Sequence, residues 1–258
     1  MAHLRPRPVR PPRLKNVAVT DPHLADCAPL PKGWYDISPL ISPKIAVFPG
    51  DTPFSRRGLM AFERGDHLAL STMETTLHLG AHTDAPCHYA QNGATMEACP
   101  VQAYIGDAQV IGVTTTIGGR IAVTDLRGSI VAPRVLLRTL SYPDPNVWTG
   151  TFSTPSVELV HFLADSGVRL IGIDTPSIDP ATAKELIAHH AVYARGLAVL
   201  EGIVLHHVPD GVFTLLAQPL PLVGADASPV RALLVPRQPN LETAPLAVAT
   251  AHRQESRR

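Results

Sequence analysis

Between positions 78 and 88 the chain places three imidazoles and one carboxylate, His78, His82, Asp84 and His88, all at even positions. Imidazole nitrogen and carboxylate oxygen together suit zinc, manganese or iron, so the first chemistry to consider is that of a bound divalent cation. In an extended segment side chains alternate between faces. These four would then point one way while Leu77, Leu79, Ala81, Thr83 and Ala85 point the other. One face can hold a cation while the other packs into a core. Any one of these histidines alone reads as a surface or core residue; four at a common parity read as one site. Gly80, on the polar face, would leave the space an ion needs. His88 lies past Pro86, near enough to serve a cation site without ligating, where an imidazole can accept and return a proton.

The elements that must position these groups follow from local pattern. A helix would also pair His78 with His82, but Thr75, Thr76, Gly80, Thr83 and Pro86 make a poor helix interior. The spacing therefore predicts a strand over 68–79 that delivers the first histidines and ends in a Pro-turned loop, unlike the helical HExxH zinc signature. Residues 34–38, 107–114, 123–126 and 134–139 read as strands, and Pro49-Gly50-Asp51-Thr52-Pro53 reads as a turn. Ser153 to Glu158 opens a helix with a cap, Pro155 at its first position and an early acid, stopped by Gly167. A buried strand over 168–173 follows. Asp179-Pro180 caps a second helix running towards His189 and His190, and 197–205 is again a β run, interrupted by Glu201. A carboxylate in that run is costly to bury ionised without a cation beside it. It is otherwise an outward-facing residue of an edge strand or the partner of an arginine. His161, inside the first helix, reads as a surface or packing residue. Alternating strands and helices give an α/β class.

The 258 residues are 45% hydrophobic and 17% charged, enough to bury a sizeable core as one domain. Net charge is zero, which argues against general attraction to nucleic acid or an anionic membrane and leaves a small molecule as the expected partner. No apolar run reaches the length of a membrane span. Residues 1–33 are rich in proline and arginine and read as a flexible extension, 34–241 as the folded domain, and 242–258 as a flexible tail. Three scattered cysteines, Cys27, Cys87 and Cys99, form no disulfide framework or CxxC pair, which fits the cytoplasm. Cys87 next to His88 invites a thiol-nucleophile reading, but adjacent residues of an extended segment face opposite ways.

His78-x-Gly-Ala-His82-x-Asp84-x-Pro-x-His88 resembles the HxGTHxDxPxH signature of the cyclase family of metal-dependent hydrolases, with Ala81 in place of the threonine. Within that family the chain is most similar to the bacterial kynurenine formamidases, over about Trp34 to Leu234. The resemblance implies a swivelling β/β/α domain with mixed sheets and flanking helices, and a homodimer. It implies two divalent metal ions, zinc with manganese as the alternative, held by His78, His82 and Asp84 together with a later His and Glu twelve residues apart, a spacing that His189 and Glu201 have. His88 takes the place of the catalytic histidine, and His190 is left a supporting or packing role. Phe48 stands where the formamidases carry a pocket-lining Trp; it is otherwise an ordinary core residue. The activity implied is hydrolysis of N-formyl-L-kynurenine to L-kynurenine and formate. The alternatives are another hydrolase of the family, such as an isatin-hydrolase-like cyclic amidase, or a non-catalytic metal-binding protein.

Overall fold

The computed structural model describes residues 30–238, and the fold belongs to the unit that begins at Lys32. The Pro/Arg-rich residues 1–29 with Cys27, and the tail 242–258, lie outside the described residues. In chain order the strands are β1 (Tyr35–Asp36), β2 (Ser55–Met60), β3 (Leu70–Glu74), β4 (His82–Asp84), β5 (Ile105–Gly112), β6 (Arg120–Ile121), β7 (Arg134–Arg138) and β8 (Thr154–Pro155). Helix α1 (Val157–Asp165), β9 (Leu170–Ile173), α2 (Ile187–Ala194), β10 (Ala198–Leu200), β11 (Gly211–Leu216), β12 (Ala227–Pro229) and β13 (Leu233–Val235) complete the described elements.

Seven strands form one mixed sheet in the order β1-β13-β11-β5-β7-β9-β10. The β1 to β5 half is antiparallel, and β5, β7, β9 and β10 run parallel. All four residues of β9 are buried, as expected of a parallel strand covered on both faces. Gly172 in it allows close packing: a Cβ there would meet Leu136 Cδ2 at 2.3 Å. Val135, Leu137, Ile171, Ile173 and Val199 pack on one face against Leu159, Val160 and Leu163 of α1 and Ala188, Ala191 and Val192 of α2. The alternate residues Leu136, Leu170 and Leu200 pack on the other face with Ile37, Ala81, Ile203 and Leu205. The class is mixed α/β, with flanking helices on a mixed sheet.

Five local expectations are corrected. The predicted strand over 68–79 stops at Glu74, and β3 pairs with β2 in a separate exposed ribbon. Gly80, at φ 56°, bends the chain before β4, so His78 arrives from a bend and His82 and Asp84 from a strand. Gly80 is small for a reason other than space for an ion: a Cβ would lie 2.7 Å from Ile41 Cδ1. Residues 123–125 form a 3-10 turn instead of a strand, because the Asp125 carboxylate accepts the Ala122 N–H at 2.8 Å. The α1 cap is Ser156, whose Oγ accepts the Leu159 N–H at 3.1 Å, and Pro155 belongs to β8, which pairs with β6. Helix α2 begins only at Ile187, yet Asp179 still caps it, accepting the Ala188 N–H at 3.0 Å and the His189 N–H at 3.1 Å from eight residues before the helix starts.

Candidate metal centre and pocket

Strand β4 is held on two sides. It pairs with β12, in the register Ala227 with Asp84 and Pro229 with His82. On its other side His82 and Glu201 exchange backbone hydrogen bonds of 3.1 and 2.8 Å, and Thr83 Oγ1 donates to Val199 O at 2.6 Å. The residue after β10 is therefore delivered directly opposite His82, which places the Glu201 carboxylate beside that imidazole. The turn continues through Gly202 at φ 63°, where a Cβ would meet Gly80 O at 2.1 Å. Gly202→Ala is expected to cost on the order of 1–3 kcal/mol from left-handed strain alone, with the backbone overlap added. Denaturant unfolding measures this, and a wild-type midpoint would show that the turn relaxes freely.

His78, His82, Asp84, His189 and Glu201 converge. His78 Nδ1 lies 3.0 Å and His82 Nε2 3.5 Å from Asp84 Oδ1, while His189 Nε2 lies 3.4 Å from Asp84 Oδ2. Glu201 reaches His82 Nε2 at 3.3 Å and His189 Nε2 at 3.6 Å. Two triads, His78–His82–Asp84 and Asp84–His189–Glu201, each bring their donor atoms within 4.8 Å of one another, and Asp84 belongs to both. All but His78 are at most 3% exposed. The second nitrogen of each ring is occupied. His82 Nδ1 contacts Gly80 O at 3.0 Å, His189 Nδ1 contacts Asp179 Oδ2 at 2.9 Å, and His78 Nε2 contacts Asp226 Oδ2 at 3.1 Å. Such outer contacts orient imidazoles as ligands.

The residues fit a cation. Both Asp84 oxygens are buried without an aligned hydrogen-bond donor, although imidazole nitrogens surround them. A buried carboxylate in that condition is costly unless a positive charge stands beside it. Without metal the protons supply that charge. Burial opposes a charged His78, but Asp84 and Asp226 outweigh it and lift its pKa to about 9. Burial likewise opposes charge on His189, and Asp179, Asp84 and Glu201 lift it to about 11. Burial pushes Asp84 upward, but His189, His78 and His82 bring it well below the usual carboxylate range. The same imidazole-rich surroundings that hold these protons would hold a divalent ion in their place.

His88 sits in a 3-10 turn, Pro86–His88, outside the buried cluster. Its ring centroid is 4.3 Å from that of His78 and 6.1 Å from that of His189. The Cys87 thiol donates to Ala225 O at 3.5 Å, and burial and the nearby Asp226 raise its pKa, so it is no ready thiolate. His190 is exposed on α2, which corrects the supporting or packing role expected for it. His78, His82, His88 and Glu201 open onto a cavity of about 280 Å³ walled by Phe48, Tyr142 and Trp148. Phe48 is 43% exposed, hence no core residue, and packs edge-to-face on Trp148 with centroids 5.1 Å apart.

Sequence reasoning missed Asp179, Asp226, Tyr142 and Trp148. Asp226 lies far along the chain from the histidine motif, and no spacing ties it to the histidines. Tyr142 and Trp148 come from the loop over 139–152, where Asp174 accepts the Thr139 and Leu140 N–H groups at 3.0 and 2.9 Å and so sets the start of that wall.

The comparisons agree with this architecture. A structure described as a potential metal-dependent hydrolase with cyclase activity is 26% identical, superposes with a TM-score of 0.67, and is covered over 98% of its chain by 82% of this one. A predicted metal-dependent hydrolase from Bacillus stearothermophilus is also 26% identical, with a TM-score of 0.65 over 78% of this chain and 97% of that one. Isatin hydrolase A from Labrenzia aggregata, at 21% identity, shares the fold with a TM-score of 0.63 over 80% of this chain and 94% of that one. The Cyclase family model, described as "Putative cyclase", matches residues 35–180, a span that holds the histidine motif and stops before His189 and Glu201. The chain belongs to the Cyclase family and is a hydrolase with the fold of its metal-dependent members.

Proposed function

We propose that the protein is a metal-dependent arylformamidase that hydrolyses N-formyl-L-kynurenine to L-kynurenine and formate. The observation that carries this reading is the orphaned Asp84 carboxylate, ringed by imidazoles beside an aromatic cavity that His88 also lines. His78, His82, Asp84, His189 and Glu201 would hold two divalent ions, zinc or, as the alternative, manganese. Bound there, such ions supply a polarised carbonyl and a water acidic enough to attack near neutral pH. The chain's own part is to aim and to move protons. His88 takes the proton from the attacking water and returns it to the anilide nitrogen, which is too basic to leave unprotonated. Phe48 and Trp148 present faces and edges to an aryl ring. An exposed ribbon carrying Leu59, Leu70 and Met73 supports assembly as a homodimer.

A second reading, a cyclic aryl amide such as isatin, is favoured by one observation. Among the described residues that line the cavity there is no lysine or arginine to meet the substrate's carboxylate; His206 is the one cation-capable group there beyond His78, His82 and His88. Steady-state assays of zinc-loaded protein on formylkynurenine and on isatin separate the two. Phe48→Ala is expected to raise KM for the preferred aryl substrate roughly two- to tenfold, the equivalent of ~0.5–1.5 kcal/mol of ring contact. It should change kcat less, because ring contacts are alike in ground and transition states. Phe48→Trp is expected to be tolerated on formylkynurenine. If wild type prefers isatin and Phe48→Trp abolishes that preference, the formamidase assignment falls.

A further inference from the structure

We infer that Asp226 is a positioning residue that orients both the metal-site His78 and the acid–base His88. One oxygen, Oδ2, lies 3.1 Å from His78 Nε2 and 3.6 Å from His88 Nδ1. The His78 contact is a hydrogen bond, whereas the His88 contact is longer than one and acts as a charge beside the ring. Asp226, whose side chain is 48% exposed, is not among the residues that line the cavity, whereas His78 and His88 both are. Its place is set by backbone. The Asp226 carbonyl accepts the Ala85 N–H at 2.8 Å, and Ala227 pairs with Asp84, so the residue is clamped to the segment that carries both histidines. The preceding carbonyl, Ala225 O, accepts the Met96 N–H at 3.0 Å, which ties the other side.

The consequence is a choice of tautomer at two rings. A ring that offers Nδ1 to a cation must carry its proton on Nε2, and Asp226 receives that proton's hydrogen bond from His78. For His88 the same oxygen favours the proton on Nδ1, which leaves the Nε2 lone pair free to accept a proton from water. A base oriented by a third group in this way follows the logic of catalytic triads. The inference rests on the metal and acid–base parts of the proposed function.

Asp226→Ala is the test, with Asp226→Asn beside it because the amide keeps an acceptor oxygen without the charge. For Asp226→Ala we expect zinc affinity, read by chelator competition, to fall ~10–100-fold, and kcat at saturating zinc to fall by a similar factor with KM little changed. The 15N shifts of the His88 ring in the zinc-loaded protein are expected to change from one tautomer to a mixture, and Asp226→Asn to recover part of each loss. Affinity and tautomer are read without substrate, so they stand even if wild type turns over neither amide. Unchanged zinc affinity and an unchanged His88 tautomer in Asp226→Ala would overturn the inference. So would losses that track a lowered melting temperature and are not repaired by Asp226→Asn.

Discussion

His88→Ala keeps its metal and loses about 10²–10⁴-fold in kcat, the contribution typical of a positioned general acid–base group. The separation of the two effects follows from geometry. His88 stands outside the buried pair of triads, in a turn of its own, and its ring faces the cavity. Its pKa also suits the role. Burial pushes it below the usual imidazole value, Asp84 draws it upward, and His78 and His189 push it down again; the net direction is down. A ring neutral at physiological pH can accept a proton, which an imidazolium cannot. His88 also shares a possible triad with His78 and Asp226, whose donor atoms lie within 4.8 Å of one another. Metal analysis decides between the two roles: if His88→Ala is purified without metal, His88 is a ligand and the proton-transfer role must be reassigned.

His189→Ala loses metal and hydrolysis together, and it also removes the His189 part of a pH dependence that the metal-free wild type shows, leaving the part due to His78. The sign follows from the shifts. Asp84 and Glu201 titrate below their ordinary values of 3.8 and 4.5, so the stability they confer is present above those values and is lost on acidification. His78 and His189 titrate above 6.5, at about 9 and about 11, so their contribution is complete below 6.5 and drains away as the pH rises through those values. The metal-free protein therefore has its cluster fully paired between about pH 4.5 and 6.5 and weakens above that window. Metal must displace the protons on His78 and His189, so its affinity rises with pH over the range in which the metal-free protein weakens. Thermal midpoints of chelated and zinc-loaded protein at pH 6 and pH 8 measure this. The stabilisation by zinc is expected to be larger at pH 8. A zinc effect of equal size at both values would show that these imidazoles do not exchange protons for metal.

Much of the chemistry was legible before any fold. Imidazole and carboxylate at positions 78, 82, 84 and 88 specify a cation site by donor type alone, and the motif they form marks the family. The α/β class, the buried strand read over 168–173 and found at Leu170–Ile173, and the stop at Gly167 were also readable, because they depend on local pattern and burial. The register of the histidines was less so. Parity predicted one strand face, yet Gly80 in the left-handed region and the 3-10 turn at Pro86 break the strand on both sides of β4. The four side chains still meet, through a bend, a strand and a turn in place of one alternating run. Glu201 stood out as a carboxylate in an apolar run, but His189, and the place of both in one site, came only by resemblance to a family, since nothing local ties position 201 to position 82; the reciprocal backbone bridge between them does that. Asp179 was legible as a helix cap but not as the partner of the His189 ring, and Asp226 and Trp148 had no signal at all. The Asp226 carboxylate against His78, or the Trp148 edge against Phe48, is a contact across scores of residues, and only the packing of the sheet and its loops brings such groups within hydrogen-bond or van der Waals reach.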